Sequence, residues 1–458
     1  MTPQRRRRRT GLPAALLLTL LVCALSWTPV LVQRAQARPA DAVAALASAA
    51  HPLRTTEPGG SVADLRPLGA MIGDAEVVGV GEATHSSHEF FTNKHRIFRY
   101  LVEEKGFTAF ALEANWSAGL RINDYVLHGK GDLRKIMQEE FQDAYQLWNT
   151  REYLDLFTWM RDYNAHHARK VQFLGNDAAY AGPELFDRVT GYAREHHPAL
   201  LPRLAELYRG QRPEPGTSVK DTMQALLKQP LAERRANADR ARQALDLLAG
   251  QHPGGGHSGS DHRAFDSAVQ DARAVAQVAG MYTYDLDDPK GVADCMRYRD
   301  RVMADNTVWW QRHTGQKILL SAHNAHVSYV SDNPAQYPKM QGAFLRDRLG
   351  SAYVNVRLTF SEGSFNTVDD EGRTKPVTLG PAAPGSNEHT LDQVAHRPAW
   401  LLDMRTAPRA AKDWLAAARP TRNIGTAYPE PEYMTALGRS YDLLIHVHRI
   451  RAAELLTP

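Results

Sequence analysis

The stretch AEVVGVGEATHSSHEFF, residues 75–91, decides the fold. Its first part is a short apolar run of the kind that forms a buried strand. Glu82, His85, His88 and Glu89 follow almost at once. A core cannot hold such groups unpaired, and an ordinary surface turn has no need of them. The strand must therefore end at an edge where these side chains meet partners. Beyond it, residues 87–105 show helical spacing: Phe90, Phe91, Ile97, Phe98, Leu101 and Val102 fall on one face. Lys94 falls in the middle of that face, whereas Arg96, Arg99 and Glu103 fall on the opposite side, where solvated charge belongs. A lysine on a core-facing stripe either snorkels or meets an anion. It is expected to pair with Glu82 or Glu113, either within a site or as a structural ion pair.

The same pattern recurs along the chain. FTAFALEA, KVQFLGND and QKILLSAHNAH read as further strands, each ending in polar residues: Glu113, then Asn176 and Asp177, then His323, Asn324 and His326. SAYVNVRLTF, PAWLLDMR and YDLLIHVH read as later strands. Strands alternating with helical segments predict an α/β protein with a mostly parallel central sheet flanked by helices. The polar exits of parallel strands lie on one carboxyl edge, where ligands bind. The helical stretch at about 183–285 is expected to be an inserted cap. In the helix CMRYRDRVMADNTVWW, residues 295–310, Arg299, Met303, Asn306 and Trp310 share a face by three- and four-residue spacing. Asn306 on that face is a candidate site residue.

The chain has 458 residues, 43% of them apolar and 23% charged, an ordinary globular composition. Its net charge of +4 is concentrated in Arg5 to Arg9, so the rest carries no nucleic-acid footprint. Those arginines, the apolar segment GLPAALLLTLLVCALSWTPVLV and the AQA at Ala35–Ala37 have the layout of a secretory signal. Residues 1–37 are expected to be a signal peptide that leads to a secreted or extracytoplasmic location, with membrane contact through that segment alone. Residues 38–75 read as an N-terminal arm and 76–458 as the main domain. Removing the signal would leave Cys295 as the one cysteine, without an internal disulfide.

VVGVGEATHSSHEFFTNKHRIFRYLVEEKGFTAFALEANW, RDRVMADN and LLSAHNAHV resemble segments of the erythromycin esterase family. The closing WLLDMR and RSYDLLIHVH are also similar to it. The resemblance implies a carboxylic ester hydrolase acting on an ester or macrolactone, with no cofactor. It implies His85 as general base with Glu82 as its acid, Glu113 as the acid after the second strand, and His326 as the second functional histidine beside His323. Lys94 stands where the motif commonly shows arginine. His85 suits the base role because an imidazole titrates near neutrality. Glu82 or Glu113 would fix its tautomer, and His326 and Lys94 would stabilise the oxyanion or supply the leaving proton. Lys94, His323, Asn176 and Asn306 are the candidate substrate or oxyanion groups. No G-x-S-x-G elbow is present. The rival readings are a metal-dependent hydrolase using Glu82, His85, Glu113 and His326, and a non-catalytic ligand carrier.

Overall fold

A computed structural model describes residues 39–252, 259–369 and 372–456. The expected signal segment lies outside them, and no described helix is long and apolar enough to cross a membrane. The strands in chain order are β1 (His51–Leu53), β2 (Val77–Val80), β3 (Phe107–Asn115), β4 (Gln172–Asp177), β5 (Lys317–Ser321), β6 (Tyr353–Val368), β7 (Thr374–Leu379), β8 (Ala399–Asp403), β9 (Arg419–Thr421), β10 (Tyr433–Thr435) and β11 (Leu443–Ile450). Nine form one sheet in the order β1-β8-β11-β6-β2-β5-β3-β4, with β7 added to β6. From β11 to β4 every neighbour on that path is parallel. The antiparallel members β1, β8 and β7 lie outside this block. The α/β class with a mostly parallel sheet, expected from the sequence, is the class observed.

β2 and β3 are buried along their whole length, which is why they read as continuous apolar runs rather than as alternating ones. Successive residues face opposite layers. Val78, Val80, Phe110, Leu112 and Leu319 join a cluster with Phe90, Phe98 and Phe157. Val77, Ala109, Ala111, Ile318 and Leu320 join another with Leu185, Val275 and Val302. The helices Pro183–His196 and Gly259–Met281, from the expected cap, contribute to this second cluster, so that segment is a flanking layer of the sheet. It also supplies Met223 and Met281 to the wall of the central cavity.

The helix His88–Lys105 ends at Gly106, whose φ of 72° gives a left-handed cap. Its apolar stripe is buried as expected, but Arg96 is not solvated. Its side chain is fully buried, pairing with Asp64 and donating to the Ser61 carbonyl. The residues before β2 fold back over that face and cover what periodicity marks as the outer side. The same segment adds β1 to the sheet edge.

Candidate active site

The exits of β2 and β5 are in direct contact. The Asn324 backbone N–H donates to the Glu82 carbonyl at 2.8 Å. Gly81 makes this approach possible, since a Cβ there would lie 2.9 Å from the Asn324 Cα. Glu82 and His85 are thereby held beside His323 and His326. The His85 Nδ1 lies 2.9 Å from Glu82 Oε1, and the other oxygen, Oε2, accepts from Lys94 Nζ at 2.6 Å. Lys94 also donates to Ser321 Oγ at 2.9 Å and to the Ala322 carbonyl at 3.2 Å. Burial pushes its ammonium below the usual lysine range, against the pull of Glu82.

A register shift between Leu112 and Asn115 marks a bulge in β3 around Glu113. Glu113 Oε1 accepts from Arg299 Nη2 at 2.9 Å and lies 3.3 Å from His326 Nε2, while Oε2 accepts from the His323 backbone N–H at 2.9 Å. Burial would raise its pKa, but His326, His85 and Arg299 outweigh that and hold the carboxyl well below its ordinary value. Arg299 donates to Asp177 at 2.5–3.1 Å, and Asp177 in turn accepts from the Tyr145 hydroxyl at 2.7 Å. His326 Nδ1 lies 2.7 Å from Asp300 Oδ1. Burial works against its charge, yet Asp300 and Glu113 lift its pKa to about 10. The His326 Nε2 also lies 3.1 Å from Arg299 Nη1. His323 is the opposite case: burial, reinforced by His85, drives it well below the usual histidine range, against Glu113.

His85, Glu113, Arg299, His323 and His326 line one cavity of 430 Å³. Trp148 forms a wall, its ring 5.0 Å from that of His85, and the His323 ring lies 5.1 Å away on another side. The erythromycin esterase family model matches residues 102–450. The chain belongs to the erythromycin esterase family. It is 25% identical to erythromycin esterase type II of Escherichia coli over 345 residues, covering 71% of this chain and 78% of that protein. The crystal structure of a Bacillus cereus protein superimposes with a TM-score of 0.82 at 30% identity, covering 92% of this chain and all of that one. An erythromycin esterase mutant in its open conformation shares the fold with a TM-score of 0.68 at 19% identity, over 88% of this chain and 98% of that one.

Within this family member, the sequence-derived residues fall into two groups. Glu82, His85, Glu113, His323 and His326 come together. Lys94 joins them from behind: it is 1% exposed and its three ammonium protons already have acceptors. It orients Glu82 and has no donor left for an oxyanion. Asn176 and Asn306 lie outside the cavity lining. Asn176 donates to Thr307 Oγ1 at 3.0 Å, and Asn306 donates to the Asn176 carbonyl at 3.0 Å. Asn306 shares a helical face with Arg299, but seven residues along a helix is about 10 Å of rise. Sequence reasoning missed Arg299, Asp300 and Trp148 as site residues, and named Asp177 only among the polar strand ends. Arg299 had a visible signal, a charge on an otherwise core-facing stripe. Among the described residues, no group of three His, Cys, Asp or Glu side chains is arranged to hold a metal ion.

Proposed function

We propose that the protein is a carboxylic ester hydrolase in which His85 activates water directly. One arrangement carries this reading. His85 turns Nδ1 to Glu82, itself anchored by Lys94, while the ring lines the cavity that also holds the His326 imidazolium. With Nδ1 carrying the proton toward Glu82, Nε2 is left as the acceptor. Water adds to the acyl carbon as its proton passes to His85 Nε2. His326, whose Nε2 faces Glu113 Oε1 at 3.3 Å before substrate enters, turns that proton to the oxyanion and gives it to the departing alkoxide as the C–O bond breaks. Ionisation of the acid product and exchange with solvent restore both histidines.

The charge balance favours this cycle. Around the cavity Glu82 faces Lys94, and in a second group Glu113, Asp177 and Asp300 face Arg299 and His326. Four carboxylates against three cations leave room for one more positive charge. His85 supplies it when it takes up the water proton, so the fixed charges stabilise the state in which the ester is attacked. The erythromycin esterase relative suggests macrolactones among the substrates, and simple esters are the broader class. The expected N-terminal leader would have the enzyme act after export. The test is turnover of a panel of macrolactones and simple esters, with and without chelator. Hydrolysis that persists under chelation supports the reading; turnover abolished by chelator and restored by added metal would replace it with metal-assisted chemistry.

A further inference from the structure

Asn306, which the active cavity does not contain, lies in a second cleft. Two open clefts of 710 and 790 Å³ meet at Asp305 and Trp309 on the exposed side of the helix Pro289–Thr314. Arg242, Arg273 and Arg301 line the first, and Arg263, Arg312 and Arg348 the second. Three carboxylates, Asp246, Asp266 and Asp305, lie among them. Arg301 and Arg348 share Asp305 at 3.1 and 2.5 Å. Arg263, Arg273 and Arg312 have no carboxylate partner among the described residues. The floor is made of amides: Gln270 and Gln277 each donate to Asn306 Oδ1 at 3.0 Å. Gln277 is 8% exposed, and its Oε1 is buried without a hydrogen-bond partner. An unpaired buried carbonyl costs free energy unless a donor from a ligand or a water reaches it. Partly exposed rings complete the lining: Tyr298, with the Arg301 guanidinium 5.0 Å above it, and Trp309, stacked on His313 at 4.5 Å.

We propose that this double cleft binds an acidic oligosaccharide, a chain of sugar rings with carboxylates at intervals. Guanidinium groups pair with carboxylates in fork geometry. The unpaired Gln277 Oε1 accepts from a hydroxyl, and aromatic faces cover the apolar side of a sugar ring. Interleaved aspartates thin the positive charge, which suits a ligand with about one charge per ring. They disfavour a nucleic-acid backbone, whose densely spaced phosphates call for an unbroken basic track. This site is independent of the ester chemistry proposed above.

The experiment is calorimetric titration of the intact protein with hexagalacturonate, maltohexaose, oligothymidylate and phosphatidylglycerol vesicles at two salt concentrations. Saturable binding of hexagalacturonate, weakening with salt and absent for maltohexaose, is expected. Arg273→Gln with Arg312→Gln should weaken it about tenfold or more, the loss of two charge-assisted contacts, with ester turnover unchanged and a melting temperature lowered only by the lost Arg273 bond to Gln270 Oε1. Arg312→Gln alone, at an exposed side chain, gives a smaller loss in the same direction. Absence of saturable binding, equal binding of maltohexaose, tighter binding of oligothymidylate or vesicles, or unaltered affinity in both variants would overturn the proposal.

Discussion

His85 depends on what holds its other nitrogen. With Nδ1 directed at Glu82 at 2.9 Å, asparagine in its place keeps a polar group in the turn but has no base near neutral pH. His85→Asn should lower ester turnover by about 10² to 10⁴ with little change in melting temperature; turnover within about threefold of wild type would remove His85 from the mechanism. Lys94→Met tests the support behind it. It leaves the Glu82 carboxylate buried without its cation, a loss of about 3–5 kcal/mol, measured by denaturant unfolding, together with loss of turnover. His326 sets a pH limit. Its folded pKa is raised to about 10, so its contribution to stability is full below the unfolded value of about 6.5 and is lost as pH rises through about 10. Asp300→Asn removes a cause of that elevation, and the alkaline limb of the rate profile should move to lower pH. An unmoved limb would assign it to another group. At this scale Lys94 was legible because a cation stood alone on an apolar stripe. Arg299 stood on a comparable stripe, but its value comes from Glu113 and Asp177 on two different strands, and no local spacing reveals such partners.

The elements were legible wherever burial was two-sided. β2, β3, β4 and β5 announced themselves as apolar runs, and each polar exit marked the carboxyl edge. The helix His88–Lys105 was read correctly on its inner face and wrongly on its outer one, since periodicity reports a pattern and not what later covers it. Arg96 is buried only because Asp64 arrives from the segment before β2. Contact between two exits was equally invisible in the sequence, and it rests on Gly81. In Gly81→Ala the new methyl group would press on the Asn324 backbone at 2.9 Å. Displacing that backbone shifts His323 and His326 together. We expect a destabilisation of about 1–3 kcal/mol and a fall in turnover larger than a similar loss of stability causes at a site remote from the cavity. A variant with full turnover would show that the two exits move independently.

For the whole molecule, the α/β class could be read from the alternation of strands and helices, but the order of strands could not. β6 follows late in the chain yet sits next to β2, and β11, later still, sits next to β6, pairings fixed by packing and not by neighbouring sequence. The N-terminal segment shows the consequence most clearly. It reads as an arm, but β1 extends the sheet beside β8 and buries Leu53. Glu57 accepts from His88 Nε2 at 2.9 Å and lies 3.5 Å from Arg451. Asp64 neutralises the buried Arg96. One short segment therefore ties the helix after β2 to the end of β11. This separates two truncations that look alike in sequence. A chain beginning at Arg38 keeps every one of these contacts and should melt at the temperature of the full chain. A chain beginning at Arg66 loses β1, leaves Arg96 buried without its carboxylate, and forfeits about 3–5 kcal/mol from that pair alone. That is a large part of the roughly 5–15 kcal/mol by which a domain is stable. The second chain should therefore melt far lower or lose its cooperative transition in calorimetry. Equal melting temperatures for the two would show that residues 39–65 are an appendage and not part of the folded unit.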